Sequence, residues 1–380
     1  MKKLLCIILF FILFSSGCGG RDDTDVSAPP ESRTGDSSPS PVQETAAQKQ
    51  IVIALEAEPS TLDAAQCADY NTACAISGIY DQIVGFDGTS MSIVPSLAES
   101  WGLIGEEGLQ YVFYFRKGIK FHDGADFNAE AVKYNIERQI DKNHEAYITE
   151  SVSEHTRAPY SMIESIEVLD EYSVMIRLIE PSAEFLSNLA MPSASMQSPA
   201  SIKQHKTDIT ASPAGTGPYR FVSWSPGSEL VLEKNPDYFK GSPKIDKIIY
   251  RPINDAGSRI NELESGSVDV AFAIPQESEG LLSGKNNVTI VKGSGQWPYS
   301  GFRDVFYDSE DYIMLLDAAR ETEDEERKKL LYSEAQNILI TDNPLIVIEP
   351  VSQFTAIGGR LKYFSLHPSG YINFLNIDAE

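Results

Sequence analysis

The chain is poor in the residues that do chemistry. Its 380 residues include only five histidines and four cysteines. His122, His144, His155, His205 and His367 do not pair at metal-ligand spacing, and neither HExxH nor CxxC occurs. No Walker loop and no G-x-S-x-G elbow is present. GTGP (215–218) opens like a dinucleotide loop, but it lacks the third glycine and precedes a strand rather than following one. His122-Asp123, in FHDG, is the nearest approach to an acid–base pair, and an adjacent pair in a turn is more often structural. The chain is therefore expected to be no enzyme and to carry no metal or organic cofactor.

Positive charge is also scarce: 31 basic residues face 55 acidic ones, a net charge of -24. Such a surface argues against nucleic acid and anionic lipid as partners and disfavours anionic ligands outside a local basic pocket. No apolar run reaches the ~20 residues that a membrane-spanning helix needs. The longest, Leu4 to Phe14, follows Lys2 and Lys3 and precedes small residues, which is the layout of a secretory signal peptide. A retained N-terminal anchor is the lesser alternative.

Ser16-Gly17-Cys18 resembles a bacterial lipobox, although Ser15 stands where a leucine is usual. Gly19 is not the aspartate that often marks inner-membrane retention. The resemblance implies an exported protein lipidated at Cys18 and held on the bilayer of the cell envelope, periplasmic or outer surface, without a transmembrane helix. Loss of residues 1–17 leaves 29 basic against 55 acidic residues, a net charge of -26. Cys67 and Cys74 would then remain, in a compartment where disulfides persist. Their spacing corresponds to two helical turns, roughly 10 Å, so a disulfide needs a loop before Cys74. The compartment favours the disulfide slightly over two buried thiols.

Residues 18–49 contain no aromatic residue and are rich in Ser, Pro, Thr and Asp, the composition of a flexible tether. The folded body starts at the apolar run IVIALEA (51–57), a buried strand. LQYVFYFRKGIKF (109–121), IEVLDEYSVMIRL (166–178) and YRFVSWSPGSELVLEKN (219–235) alternate like hairpins. NAEAVKYNIERQI (128–140) has helical periodicity with Asn128 as N-cap, and SRINELESG (258–266) is a helix ending at glycine. DKIIYRPI (246–253), DVAFAIP (269–275) and NVTIVKG (287–293) are further strands. Beyond residue 309 come two helices, SEDYIMLLDAARE and EDEERKKLLYSEAQNILI, then strands at LIVIEP (345–350) and FTAIG (354–358). Strands and helices interleave without a repeat, so the class is α/β.

GTGPYRFVSWSPGSELVLEKNPDYFKGSPKIDKIIYRPI (215–253) closely resembles the segment that marks the family 5 extracellular solute-binding proteins, the peptide- and sometimes nickel-binding components of ABC importers. EPSTLDAA (58–65), VPSLAESWGL (94–103), YVFYFRKGIKFHDGADFNAEAVKYNIER (111–138), SRINELESGSVDVAF (258–272) and the helical stretch at 308–344 are similar to other family segments, in the family's order. The resemblance implies a type II periplasmic-binding-protein-like fold with two lobes enclosing the ligand. It also implies a monomer that hands a small solute or peptide to the transmembrane subunits of an ABC permease.

No segment resembling the middle of the second lobe is present. SGQWPYSGFRDVFYDSEDY (294–312), with six aromatics in nineteen residues, begins where that segment would start. The expected organisation is a signal peptide (1–17), a lipidated tether (18–49), a complete first lobe (50–293), a seam (294–307) and remnant helices of a truncated second lobe with return strands (308–380). By the family's pattern the loop after the first strand faces the cleft, which points to Asp69, Tyr70, Asn71 and Thr72 as ligand-lining residues. Trp297 and Tyr299 in the seam either wall the ligand or cover the truncated edge. The remnant helices find another surface, form a reduced lobe, or expose Leu315, Leu316, Leu330 and Leu331 to a partner. A different class of function, a surface lipoprotein that serves as an interaction module without transport, stands as the alternative.

Overall fold

Two sheets divide the apolar residues of the body between them. The computed structural model describes residues 48–87, 92–105, 108–148, 158–205, 209–285, 287–293, 309–322, 324–342, 353–367, 370 and 372–380. Cys18, Trp297, Tyr299, the seam and LIVIEP lie outside the described residues.

Among the described residues the larger sheet has seven strands in the order β12-β13-β11-β1-β10-β9-β8. At its centre β1 (Gln50–Leu55) runs parallel to β10 (Lys247–Pro252) and β11 (Val270–Ala271). Burial on both faces accounts for the unbroken apolar run of β1. On one side β8 (Tyr219–Ser225) and β9 (Glu229–Lys234) form the hairpin expected around Pro226-Gly227, with Gly227 at a φ of 72°. On the other, β12 (Val288–Gly293) and β13 (Gln353–Gly358) pair antiparallel. FTAIG thus returns into the large sheet.

One face of this sheet packs Ile51, Ile53, Leu55, Tyr219, Leu232, Tyr250 and Phe272 against α1 (Tyr70–Ile76). Ile372, Phe374 and Ile377 close the same core from the end of the chain, the Phe374 ring lying 5.4 Å from that of Tyr219. The opposite face carries Ala54, Ala271, Phe354 and Ala356 against Leu263 and Ile260 of α5 (Ala256–Ser265). Asp255 caps α5 through the Ser258 amide, and Gly266 ends it at a left-handed φ of 76°.

The smaller sheet is antiparallel, β4-β5-β7-β6, built from β4 (Ala98–Ile104), β5 (Gln110–Phe115), β6 (Ile163–Asp170) and β7 (Ser173–Leu178). Phe113, Phe115, Val174 and Ile176 face Phe127, Val132 and Ile136 at α2 (Ala129–Ile140), which Asn128 caps through the Ala131 amide. The hairpin expected over 109–121 does not form. β5 pairs upstream with β4, while Ile119 and Phe121 enter the core from a turn. Alternation identified a half-buried strand but not which neighbour pairs with it.

The two helices beyond 309 are α7 (Glu310–Glu321) and α8 (Glu325–Asp342). They meet the smaller sheet's side of the molecule through few polar contacts. The Ala183 amide donates to Arg320 O at 2.8 Å, and Tyr332 Oη donates to Glu184 at 3.2 Å. Leu315, Leu316 and Leu331 are half-buried, whereas Met314 and Leu330 are 62% and 65% exposed.

Candidate functional site

Parallel strands bring their carboxyl ends to one edge, and in open α/β sheets ligands bind there. Here that edge holds the residues after Leu55 of β1, after Pro252 of β10 and after Ala271 of β11. The β8–β9 turn lies at the same edge, because β8 is antiparallel to β9 and β9 to β10.

Three of the four residues predicted from the loop after β1 are committed to holding it. Asp69 caps α1: one carboxylate oxygen accepts from the Thr72 amide (2.8 Å), the other from Ser60 Oγ and Thr72 Oγ1 (both 2.7 Å). Thr72 is fully buried, and its hydroxyl also accepts from the Ser60 amide at 2.8 Å. Tyr70, half-buried, donates from its hydroxyl to Gly370 O (2.7 Å), and its ring meets Phe272 edge-on at 6.0 Å. Asn71 differs: it is 8% exposed and its Oδ1 has no hydrogen-bond partner among the described residues.

Sequence reasoning missed two further anchors at this edge. Glu58 accepts from Trp224 Nε1 (2.8 Å) and the Gly227 amide (2.9 Å), which ties EPSTLDAA to the hairpin turn. Arg259, 2% exposed, spends its guanidinium on the carbonyls of Phe272, Ala273, Ile253 and Asn254. Burial lowers its pKa, opposed by the negative charges of Glu56 and Asp255. Ala273, whose carbonyl it holds, has a φ of 51°, which a residue with a Cβ rarely adopts. The arginine thus fixes the strand ends at a strained residue. The arginine inside SRINELESG was the available signal, masked by its place in an amphipathic helix.

The favoured disulfide is absent, because Cys67 and Cys74 are buried free thiols. Cys67 follows a short 3-10 turn and directs its thiol at Asp69 O (3.8 Å), while Cys74 is locked into α1, its carbonyl accepting from Tyr250 Oη. Burial pushes both thiols up, Cys74 to about 12, so neither is a reactive thiolate.

His122-Asp123 is divided between two structural tasks. The His122 ring sits between Gly217 O (3.0 Å from Nε2) and the Gly215 amide (3.4 Å from Nδ1), while Asp123 accepts from Ser198 Oγ. A carbonyl only accepts, so Nε2 carries the hydrogen and Nδ1 is bare. The GTGP glycines are there for close approach: a Cβ on Gly215 would lie 2.1 Å from Ile79 O, and one on Gly217 2.5 Å from Ile79 C. Among the described residues no group of three or more His, Cys, Asp or Glu is placed to hold a metal ion.

Residues 92–303 match the model of the bacterial extracellular solute-binding proteins, family 5. The chain belongs to that family. The glutathione-binding protein GsiB of Pectobacterium atrosepticum is 35% identical over 246 residues, which are 64% of this chain and 46% of that protein. The chain thus spans about half the length of the curated relatives it matches. The Helicobacter pylori periplasmic binding protein DppA, in complex with the peptide STSA, superposes with a TM-score of 0.78 at 19% identity, covering 87% of this chain and 98% of that one. A nickel ABC transporter protein from Bacillus halodurans is 29% identical with a TM-score of 0.55, over 65% of this chain and 48% of that one. The fold is α/β and periplasmic-binding-protein-like, as family 5 has it.

Proposed function

We propose that this family 5 chain is the substrate-binding lipoprotein of an ABC importer, taking a short peptide or related small solute to its permease. In this reading residues 1–17 are removed, Cys18 carries the lipid and 18–49 form the tether. Residues 50–293 are the first lobe, 294–307 a seam, and 308–380 remnant second-lobe helices with return strands, of which β13 joins the first lobe's sheet. The observation that carries the reading is the match of residues 92–303 to the family 5 model, on a fold whose parallel strands β1, β10 and β11 bring their carboxyl ends to one edge. Relatives whose names specify glutathione and peptide support the solute class.

Native mass spectrometry of the full chain, extracted from cells in mild detergent and retitrated with a mixed peptide pool, tests it. A small molecule that rebinds when the pool is in millimolar excess is the expected result. A cooperatively folded protein that ignores every peptide would instead support the second reading, an interaction module without transport. The exposed Met314 and Leu330 of α7 and α8 favour that alternative.

A further inference from the structure

The folded body begins at the amino edge of the large sheet, opposite the edge where the parallel strands end. There the Lys49 carbonyl accepts from the amides of Asp246 (2.7 Å) and Lys247 (3.2 Å), where β10 starts. The Lys49 ammonium donates to Asp378 at 2.6 Å, and Lys244 reaches the same carboxylate at 3.8 Å. Asp378 opens β15 (Asp378–Ala379), which pairs with β14 (Leu361–Lys362). Lys234 pairs with Asp246, and Lys362 with Glu380 at 3.5 Å. One contiguous face thus gathers Lys49, Lys234, Lys244, Lys247 and Lys362. Four carboxylates answer these five lysines: Asp246, Asp378, Glu380 and Glu233, which stands across the strand pair from Lys247. Five minus four leaves this face at +1 in a chain of -24, so the other residues carry -25.

Tyr363 stands on the same face, 73% exposed, with the Lys244 ammonium 5.4 Å from its ring centre. Its φ of 58° is one that a residue with a Cβ rarely adopts. Packing within the body does not explain a strained backbone that holds an aromatic ring out in water. Tyrosine rings and lysine heads are the groups that settle at the headgroup level of a bilayer.

We propose that this amino-edge face rests on the bilayer to which the tether leads, with Lys49, Lys244, Lys247 and Lys362 on anionic headgroups and Tyr363 among them. The inference rests on the lipid-anchored reading: the chain that would carry the lipid enters the body at Lys49, on this face. Net charge argues against anionic lipid for the protein as a whole, and the same charge orients it. The acidic remainder is repelled from the surface, and a face that is not acidic turns toward it. β1 rises about 20 Å over its six residues, so the carboxyl edge then faces away from the membrane. The docked body presents its solute edge outward, and delivery to a permease requires release and rotation on the tether.

The test uses the full chain with its native anchor, reconstituted in vesicles of phosphatidylcholine alone or mixed with phosphatidylglycerol. Amine acylation, mapped by mass spectrometry, reads the exposure of each lysine. Lys49, Lys244, Lys247 and Lys362 should label several-fold more slowly on the anionic vesicles, and raised salt should restore them. Lys292, at the carboxyl end of β12, and Lys329 of α8 should label equally on both. Lys244→Gln should shift the docked-to-free ratio about fivefold toward free, the contribution of one lysine near an anionic surface. Equal labelling on the two vesicle types, or slow labelling already in detergent, overturns the docked face and leaves the anchor standing. A chain that separates from the vesicles on flotation overturns the anchor as well.

Discussion

His122 should make the fold acid-sensitive. Burial holds its imidazole down to about 4, and the nearby Arg220 charge acts in the same direction. The hydrogen bond to Gly217 O and the charges of Asp81 and Asp123 oppose this less strongly. The unfolded chain binds the proton near the ordinary value of about 6.5. Between those values the unfolded state holds more protons, so stability is complete above about pH 6.5 and is lost as pH falls toward 4. Linkage over that interval gives a loss of about 2 kcal/mol between pH 7 and pH 5 and about 3 kcal/mol by pH 4. The geometry supplies the cause: protonating Nδ1 turns a donor against the Gly215 amide, in a turn with no room to move away from Ile79. His122→Gln offers one donor and one acceptor but does not titrate. Urea melts at pH 7 and pH 5 should show the wild type losing about 2 kcal/mol more than H122Q over that range. Equal losses, or a His122 ring that titrates near 6.5 by NMR, would refute the argument.

Further outcomes follow from the same contacts. Gly217→Ala drives a Cβ into the Ile79 backbone and should cost about 3 kcal/mol or more in urea unfolding, whereas Gly102→Ala, with nothing within 4 Å, should cost far less. Arg138→Met leaves Asp63 buried without its ion pair. Burial is the largest single influence on that carboxyl and pushes it up, but the arginine's charge and hydrogen bonds, joined by hydrogen bonds from Gln197 and Gln66, together hold it below the ordinary range. Breaking the pair should cost about 3–5 kcal/mol at neutral pH, read as a shift in urea midpoint. Cys67 and Cys74 should resist alkylation in the native protein and react after guanidinium unfolding, as mapped by mass spectrometry; rapid native labelling would contradict their burial.

The sequence was most legible where local rules decide the outcome. The alternation of β6 through β9, the caps at Asn128 and Gly266, and the acidic start of α8 all appear where their residue types require. It was least legible where distant segments meet. Nothing local in LQYVFYF says that β4 rather than residues 116–121 will pair with it. Nothing in the last twenty residues says that Phe374 will complete the core against Tyr219. The site shows the same divide. Local pattern points to the loop after β1, yet Thr72 and Asp69 hold that loop's own backbone, while the place of Arg259 shows only once the ends of β10 and β11 meet around it.

The second lobe proposed to be shortened would carry an energetic consequence that can be measured. Enclosed sites bury ~70–90% of a small ligand. If the first lobe supplies about half the contact energy of a micromolar binder, roughly -8 kcal/mol falls to roughly -4, which is millimolar. A tether made of residues 18–49 would offset part of that weakness. A flexible chain of that length spans roughly 30 Å, and tethering of this kind raises the effective concentration of the lobe beside a permease into the millimolar range. Weak capture is then compatible with delivery only on the membrane. Dipeptide affinities measured by titration should therefore lie between about 0.1 and 10 mM. If Cys18 carries the lipid and the chain serves a permease, as proposed, transport in vesicles should collapse when Cys18→Ser releases the protein, while solute binding itself is unchanged. A nanomolar dipeptide affinity would show that the residues after 293 enclose the ligand, and the open-face account would fail.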